Sequence, residues 1–132
     1  MKVFVCVDNA FGMAFNRRRQ SRDRILNEDV IKTAQTRLLC TSYSEPLLCA
    51  HPHLLVSEDP LADATETDFV FVEKTYLSCA FDRIDTLILY HWHRDYPSDM
   101  KFDLNLSDFH LVSTEDFVGY SHDKITKEIY TK

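Results

Sequence analysis

Residues Val3 to Arg24 read VFVCVDNAFGMAFNRRRQSRDR and carry three signals in succession. The first, Val3 to Val7, is β-branched and aromatic with no polar alternation. That predicts a strand over 2–7 covered on both faces, as in the middle of a parallel sheet. The second, Asp8-Asn9-Ala10-Phe11-Gly12, predicts a turn. Short Asp and Asn side chains bond nearby backbone, and glycine tolerates positive φ. Residues 13–20 then predict a loop. The third signal is a helix from Ser21 or Arg22 to Thr33, with Ile25, Leu26, Val30 and Ala34 on one face. Ser21 is the expected N-cap, and Asp23 falls in the first turn, where the helix dipole favours a carboxylate.

The rest of the chain extends this unit. Further short apolar strands are expected at 37–43, 53–56, 68–73, 86–91 and 109–113. Ser44 followed by Pro46 predicts a helix of one or two turns. Residues 74–83 predict another, with Tyr76, Leu77, Ala80 and Phe81 inward. Residues 61–67 and 94–108 are polar connections. Residues 125–130 suit a helix or a strand equally. Strands alternating with helices through residue 91, then strands alone, predict an α/β fold. Its central sheet is mostly parallel, with helices on both faces and a C-terminal antiparallel hairpin.

The 132 residues correspond to one domain, 1–132, and 45% apolar with 12% aromatic content supports a packed core. No apolar run approaches the ~20 residues that span a bilayer. The N-terminus meets Asp8 too early for a signal peptide, so a cytoplasmic protein without membrane partners is expected. The net charge is −6. Five arginines against Asp23 leave +4 on residues 17–24 and −10 on the remaining chain. One basic patch on an acidic body suits an anionic small molecule or an acidic protein surface, rather than nucleic acid. The four cysteines form no C-x-x-C pair and sit among apolar neighbours, so buried free thiols are expected.

Arg17, Arg18, Arg19, Arg22 and Arg24 are the leading ligand-binding candidates, since guanidinium groups bind carboxylate and phosphate bidentately. A helix N-terminus beside them adds unpaired N–H donors. Asp8 and Asn9 join the set because they end the first strand, where ligands of α/β sheets bind. His51-Pro52-His53 and His91-Trp92-His93 are metal candidates: each pair shares a face when extended, and four imidazoles could hold zinc if the segments met. Ser121-His122-Asp123 is contiguous. A hydrolytic triad is assembled in space rather than in sequence, so Ser121 reads as a turn residue.

The strand Val5-Cys6-Val7-Asp8, the pair Gly12-Met13 in the following loop and Asp23 at the first long helix resemble dihydrofolate reductase. The strand at 69–73, the helix to Arg83, the strand at 85–90, the loop through Phe102 and the segments 109–115 and 124–130 follow the same plan. The resemblance implies that fold, NADPH-dependent reduction as an alternative activity, and Asp23 as the acid that protonates a heterocycle. The chain departs from it at Glu73-Lys74-Thr75, where the family places consecutive glycines against the cofactor pyrophosphate. The residues themselves therefore lead to no cofactor. Gly-Met-Ala-Phe-Asn-Arg-Arg-Arg-Gln-Ser-Arg-Asp, residues 12–23, also resembles a group of small bacterial proteins, some labelled ribonuclease Z. That label implies a metal-dependent hydrolase, whose His-x-His-x-Asp-His ligand set lacks its final histidine in His91-Trp92-His93-Arg94-Asp95-Tyr96.

Overall fold

A computed structural model describes residues 1–132. Its centre is the strand read first: β1 (Lys2–Val7) pairs in parallel with β6 (Phe69–Val72) on one side and β7 (Thr86–His91) on the other. Outside β6 lie β4 (Leu38–Cys40) and β5 (Leu54–Val56), also parallel. Outside β7 run β10 (Ile125–Thr131) and β9 (His110–Phe117), both antiparallel, and the order is β5-β4-β6-β1-β7-β10-β9. The expected α/β fold, mostly parallel with a C-terminal hairpin, is the one observed.

Alternation along the buried strands splits the core in two. Phe4, Phe71, Ile88 and Tyr90 face α1 (Arg24–Thr33) and α2 (Glu45–Leu48), which contribute Leu26, Val30 and Leu48. Val3, Val5, Val70 and Leu89 face the opposite side, covered by Leu61 of α3 (Pro60–Asp63), Ala80 of a 3-10 turn at Ser78–Arg83, and Phe109. Helix α1 is anchored by a polar bridge as well. Asp29 accepts the Tyr90 hydroxyl at 2.5 Å and pairs with Lys127 Nζ at 2.9 Å.

Several local expectations are corrected. The N-cap of α1 is Asp23, not Ser21. Its backbone is extended and its carboxylate accepts the N–H groups of Ile25 and Leu26. Residues 13–20 are not a plain loop. Strands β2 (Gly12–Phe15) and β3 (Arg18–Arg19) form a hairpin, which β8 (Met100–Lys101) extends to a three-stranded sheet. Its two-residue turn puts Asn16 and Arg17 at φ 52° and 61°, the primed geometry that follows the twist of the strands. The helix expected from Lys74 starts at Ser78, because Asp103 takes the N–H groups of Leu77 and Ser78, and Tyr76 is 51% exposed. Pro60 starts a turn of helix inside the expected connection at 61–67. The ambiguous tail is strand β10, whose open sites for pairing lie between β7 and β9. All four cysteines are free, but Cys49 and Cys79 are exposed rather than buried. No helix is long and apolar enough to cross a membrane.

Candidate functional site

The carboxyl ends of β1, β4, β6 and β7 open toward the stretch 8–24, and two carboxylates organise that stretch. Asp8 closes β1. Its oxygens accept the N–H groups of Ala10 at 2.9 Å, Gly12 at 2.7 Å and Tyr96 at 3.2 Å, and the Gln20 amide at 3.1 Å. Burial alone would raise this carboxyl, but the N–H donors of Gly12, Tyr96 and Ala10 and the Gln20 amide outweigh it and hold it below the ordinary range. Asp8 is buried with its acceptors in use, so it organises the turn instead of facing a ligand. Asn9 is exposed; its amide donates to Asp95 at 3.1 Å.

The β2–β3 hairpin lies over the cleft beyond β1 and is latched by one arginine. Arg19 bonds Glu73 through Nε at 2.7 Å and through its terminal nitrogen at 3.0 Å. The same terminal nitrogen donates to the Tyr43 carbonyl oxygen at 3.1 Å, and the guanidinium stacks on the Tyr43 ring at 4.2 Å. Glu73 also accepts the Ser44 hydroxyl at 2.7 Å. Beneath the hairpin, among Cys6, Met13, Leu26, Phe71 and Trp92, about 10 Å³ remains, room for a single water. Arg19 therefore leaves the set of free arginines. The thiols here are poor nucleophiles: burial, then the nearby Glu73 charge, raises Cys6, and burial with Glu45, Glu73 and Glu58 pushes Cys40 up to about 12.

Asp23 is the second carboxylate, with its side chain wholly buried. Besides the two helix N–H groups it accepts the N–H of Tyr120 and of Ser121, both at 2.9 Å, and the Ser121 hydroxyl at 3.3 Å. The His122 ring completes the shell, with Nδ1 at 2.9 Å. Burial would raise Asp23, but the N–H groups of Ser121 and Tyr120, the His122 ring and the Leu26 N–H override it and keep the carboxyl ionised well below the ordinary range. It has no proton to give to a heterocycle at neutral pH. Gly119 makes this approach feasible: a Cβ there would stand 2.5 Å from Asp23 Oδ2.

An ionised Asp23 can only accept, so His122 Nδ1 carries a proton, and in the neutral ring Nε2 is the acceptor. Two hydroxyls reach it, Ser21 Oγ at 3.2 Å and Tyr96 at 3.1 Å. Trp92 stacks on the imidazole, with ring centroids 4.6 Å apart. Tyr96 does not stand out in the sequence, and nothing there links His122 to Asp23, because that contact spans ninety-nine residues. The run Ser121-His122 was the available signal, and it names the histidine but not its partners.

Arg22 and Arg24 border a groove of about 550 Å³ between α1, α2 and the loop at 118–121, with Ile31, Pro46, Leu47 and Tyr120 also lining it. Arg24 stacks on Tyr120 at 4.2 Å. Arg17 and Arg18 are exposed on the hairpin tip. Of the five clustered arginines only Arg19 is ion-paired.

The histidine pairs do not meet. His53 precedes β5 and His91 ends β7, four strands away at roughly 19 Å and at opposite ends of parallel strands. His51 bonds the Ala34 carbonyl oxygen, His91 pairs with Glu128 and His93 with the Thr126 hydroxyl. No cluster of three or more His, Cys, Asp or Glu side chains has a metal-binding arrangement.

No protein-family model matches the sequence, and no curated protein matches it. Among solved structures, the chain is similar to dihydrofolate reductase from Enterococcus faecalis in complex with NADP(H) and RAB-propyl. The TM-score is 0.69 at 10% identity, over 98% of this chain and 94% of that one. At that identity the likeness concerns backbone architecture: the chain has a dihydrofolate reductase-like fold.

Proposed function

We propose that the protein binds an anionic small molecule with an apolar body, seated in the groove between α1 and α2. The observation that carries this reading is the pair Arg22 and Arg24, neither of them ion-paired although Asp23 and Glu28 line the same groove, beside the apolar side chains of Ile31, Pro46 and Leu47. A guanidinium without an internal acid keeps its planar set of donors for a carboxylate or phosphate. Arg17 and Arg18 extend the basic rim and attract anions over a longer range.

The alternative, NADPH-dependent reduction, is less well supported by the same residues. Where the resemblance calls for glycines against a pyrophosphate, Glu73 presents a carboxylate 9% exposed, and the neighbouring Arg19 is already committed to it. A diphosphate brought to the end of β6 would meet the Glu73 carboxylate, with Lys74, which lies 3.6 Å over the Tyr43 ring, as the one neighbouring cation outside an ion pair. These residues do not fit the cofactor, and Asp23 is not placed to supply a proton.

Isothermal titration with citrate, phthalate and AMP tests the anion site. Binding by at least one, weakened ~tenfold or more by Arg22→Ala combined with Arg24→Ala, is the expected result. Equal binding by the double variant, or none by the wild type at millimolar concentration, overturns it.

A further inference from the structure

Ser121-His122-Asp123 has the composition of a hydrolytic triad in the wrong place, since consecutive side chains do not line up along one proton path. The fold supplies a different serine and a different aspartate to the same histidine. Asp23 Oδ2 lies 2.9 Å from His122 Nδ1, and Ser21 Oγ lies 3.2 Å from His122 Nε2. Carboxylate, imidazole and hydroxyl thus form a continuous chain, with the imidazole in the tautomer that leaves Nε2 free to take a proton.

We propose that Ser21 is a nucleophile, His122 its general base and Asp23 the group that orients the histidine, acting on carboxylic esters whose acyl part carries an anionic group. The nucleophile is argued from this geometry alone; the anionic acyl group rests on the arginine groove proposed above.

Three features separate this constellation from an ordinary buried network. The carboxylate is held by four backbone N–H groups and by the Ser121 hydroxyl, so it stays ionised while the histidine charges. The imidazole plane is fixed by Trp92. Ser21 is half-buried rather than sealed, and lines the space under the hairpin together with Arg22 and Asn27. Arg22, Asn27 and Leu47 line both that space and the groove, so the groove adjoins Ser21, and an acyl group bound there reaches Oγ once the side chains around the one-water space move aside. Arg22 and Asn27 line the same space as Ser21 and carry the side-chain N–H groups that would serve a developing oxyanion.

The chemistry balances with water as the only co-reactant. Ser21 Oγ attacks the ester carbonyl carbon as its proton passes to His122 Nε2. The tetrahedral adduct expels the alcohol, which leaves with that proton, and an acyl group remains on Oγ. Water then attacks the acyl carbon, gives a proton to Nε2, and the carboxylic acid departs as the proton returns to Oγ. Tyr96 competes with Ser21 for the Nε2 lone pair and is not part of the step.

The full-length protein is incubated with a fluorophosphonate and the adduct mapped by mass spectrometry. We expect one adduct, on Ser21, absent from Ser21→Ala and formed ~100-fold or more slowly by His122→Gln. Tyr96→Phe should label as fast as the wild type or faster. Thermal unfolding of Ser21→Ala at the wild-type temperature excludes misfolding as the cause of its silence. No adduct, an adduct on Tyr96 or elsewhere, or undiminished labelling of Ser21→Ala overturns the proposal. Hydrolysis of mono-4-nitrophenyl succinate against 4-nitrophenyl butyrate separates the two readings. Ser21 labelling with a preference for the succinate supports both. Labelling without that preference keeps the nucleophile and removes the anionic substrate class.

Discussion

Asp8 and Asp23 are buried carboxylates fifteen residues apart on one stretch, and they differ in who surrounds them. Asp8 is held by the N–H groups of Ala10, Gly12 and Tyr96 and by the Gln20 amide. Those partners have no proton to exchange, so Asp8 shapes backbone and nothing more. Asp23 is held as firmly, but one of its partners is an imidazole that continues to a serine hydroxyl. A saturated carboxylate is scaffold when its shell is made of amides. The same carboxylate becomes an orienting group when a histidine joins the shell.

The sharpest way to break this comparison is to neutralise each carboxylate. Asp23→Asn turns one acceptor into a donor facing N–H groups and should cost about 3 kcal/mol, measured by urea unfolding. Asp8→Asn should cost about 2 kcal/mol, since one of its donors, the Gln20 side chain, can turn away. A larger loss at Asp8 would reverse the ranking. Next in size is the response to acid. Both carboxyls lie below their ordinary value in the folded state, so their contribution is complete above the unfolded value near pH ~4 and is lost as pH falls through the folded values. The unfolding temperature should therefore decline below about pH 4, and less steeply in Asp23→Asn than in the wild type. An unchanged acid slope in that variant would remove Asp23 from the account.

The glycines give the smallest effect and the finest discrimination. A Cβ at Gly119 would press on the pinned Asp23 carboxylate at 2.5 Å, with Ile125 behind it. At Gly12 the clash is with the Gln20 amide nitrogen, the free end of a flexible side chain, and with the Ser98 Cβ at 2.6 Å, which yields only if its loop segment shifts. Gly119→Ala should cost about 2 kcal/mol and Gly12→Ala about 1 kcal/mol by the same measurement. Equal losses would mean that the two carboxylates are gripped alike.

Much of the scaffold was legible along the chain because its signals are local. The unbroken apolar runs at 3–7, 69–72 and 87–90 identify strands buried on both faces, and an odd-even split then assigns each residue to a core. Two local signals misled. Ser21 has the chemistry of an N-cap, yet Asp23 takes that place because its carboxylate also gathers the loop at 120–122. Asn16-Arg17 makes a primed turn without the glycine that usually announces one, so the hairpin read as a loop.

The arginine cluster shows the same limit within the candidate site. Five side chains of one kind look alike in sequence. Glu73 removes Arg19 from the set, and that pairing spans fifty-four residues. Charge, the turn after β1 and the strand content were set by composition and short-range pattern, where each residue acts on neighbours a few positions away. Which arginines stay free, which carboxylate meets a histidine and which serine faces it were decided only by tertiary structure. Those contacts span from fifty-four to a hundred and one positions, and no local preference encodes a distance between residues so far apart along the chain.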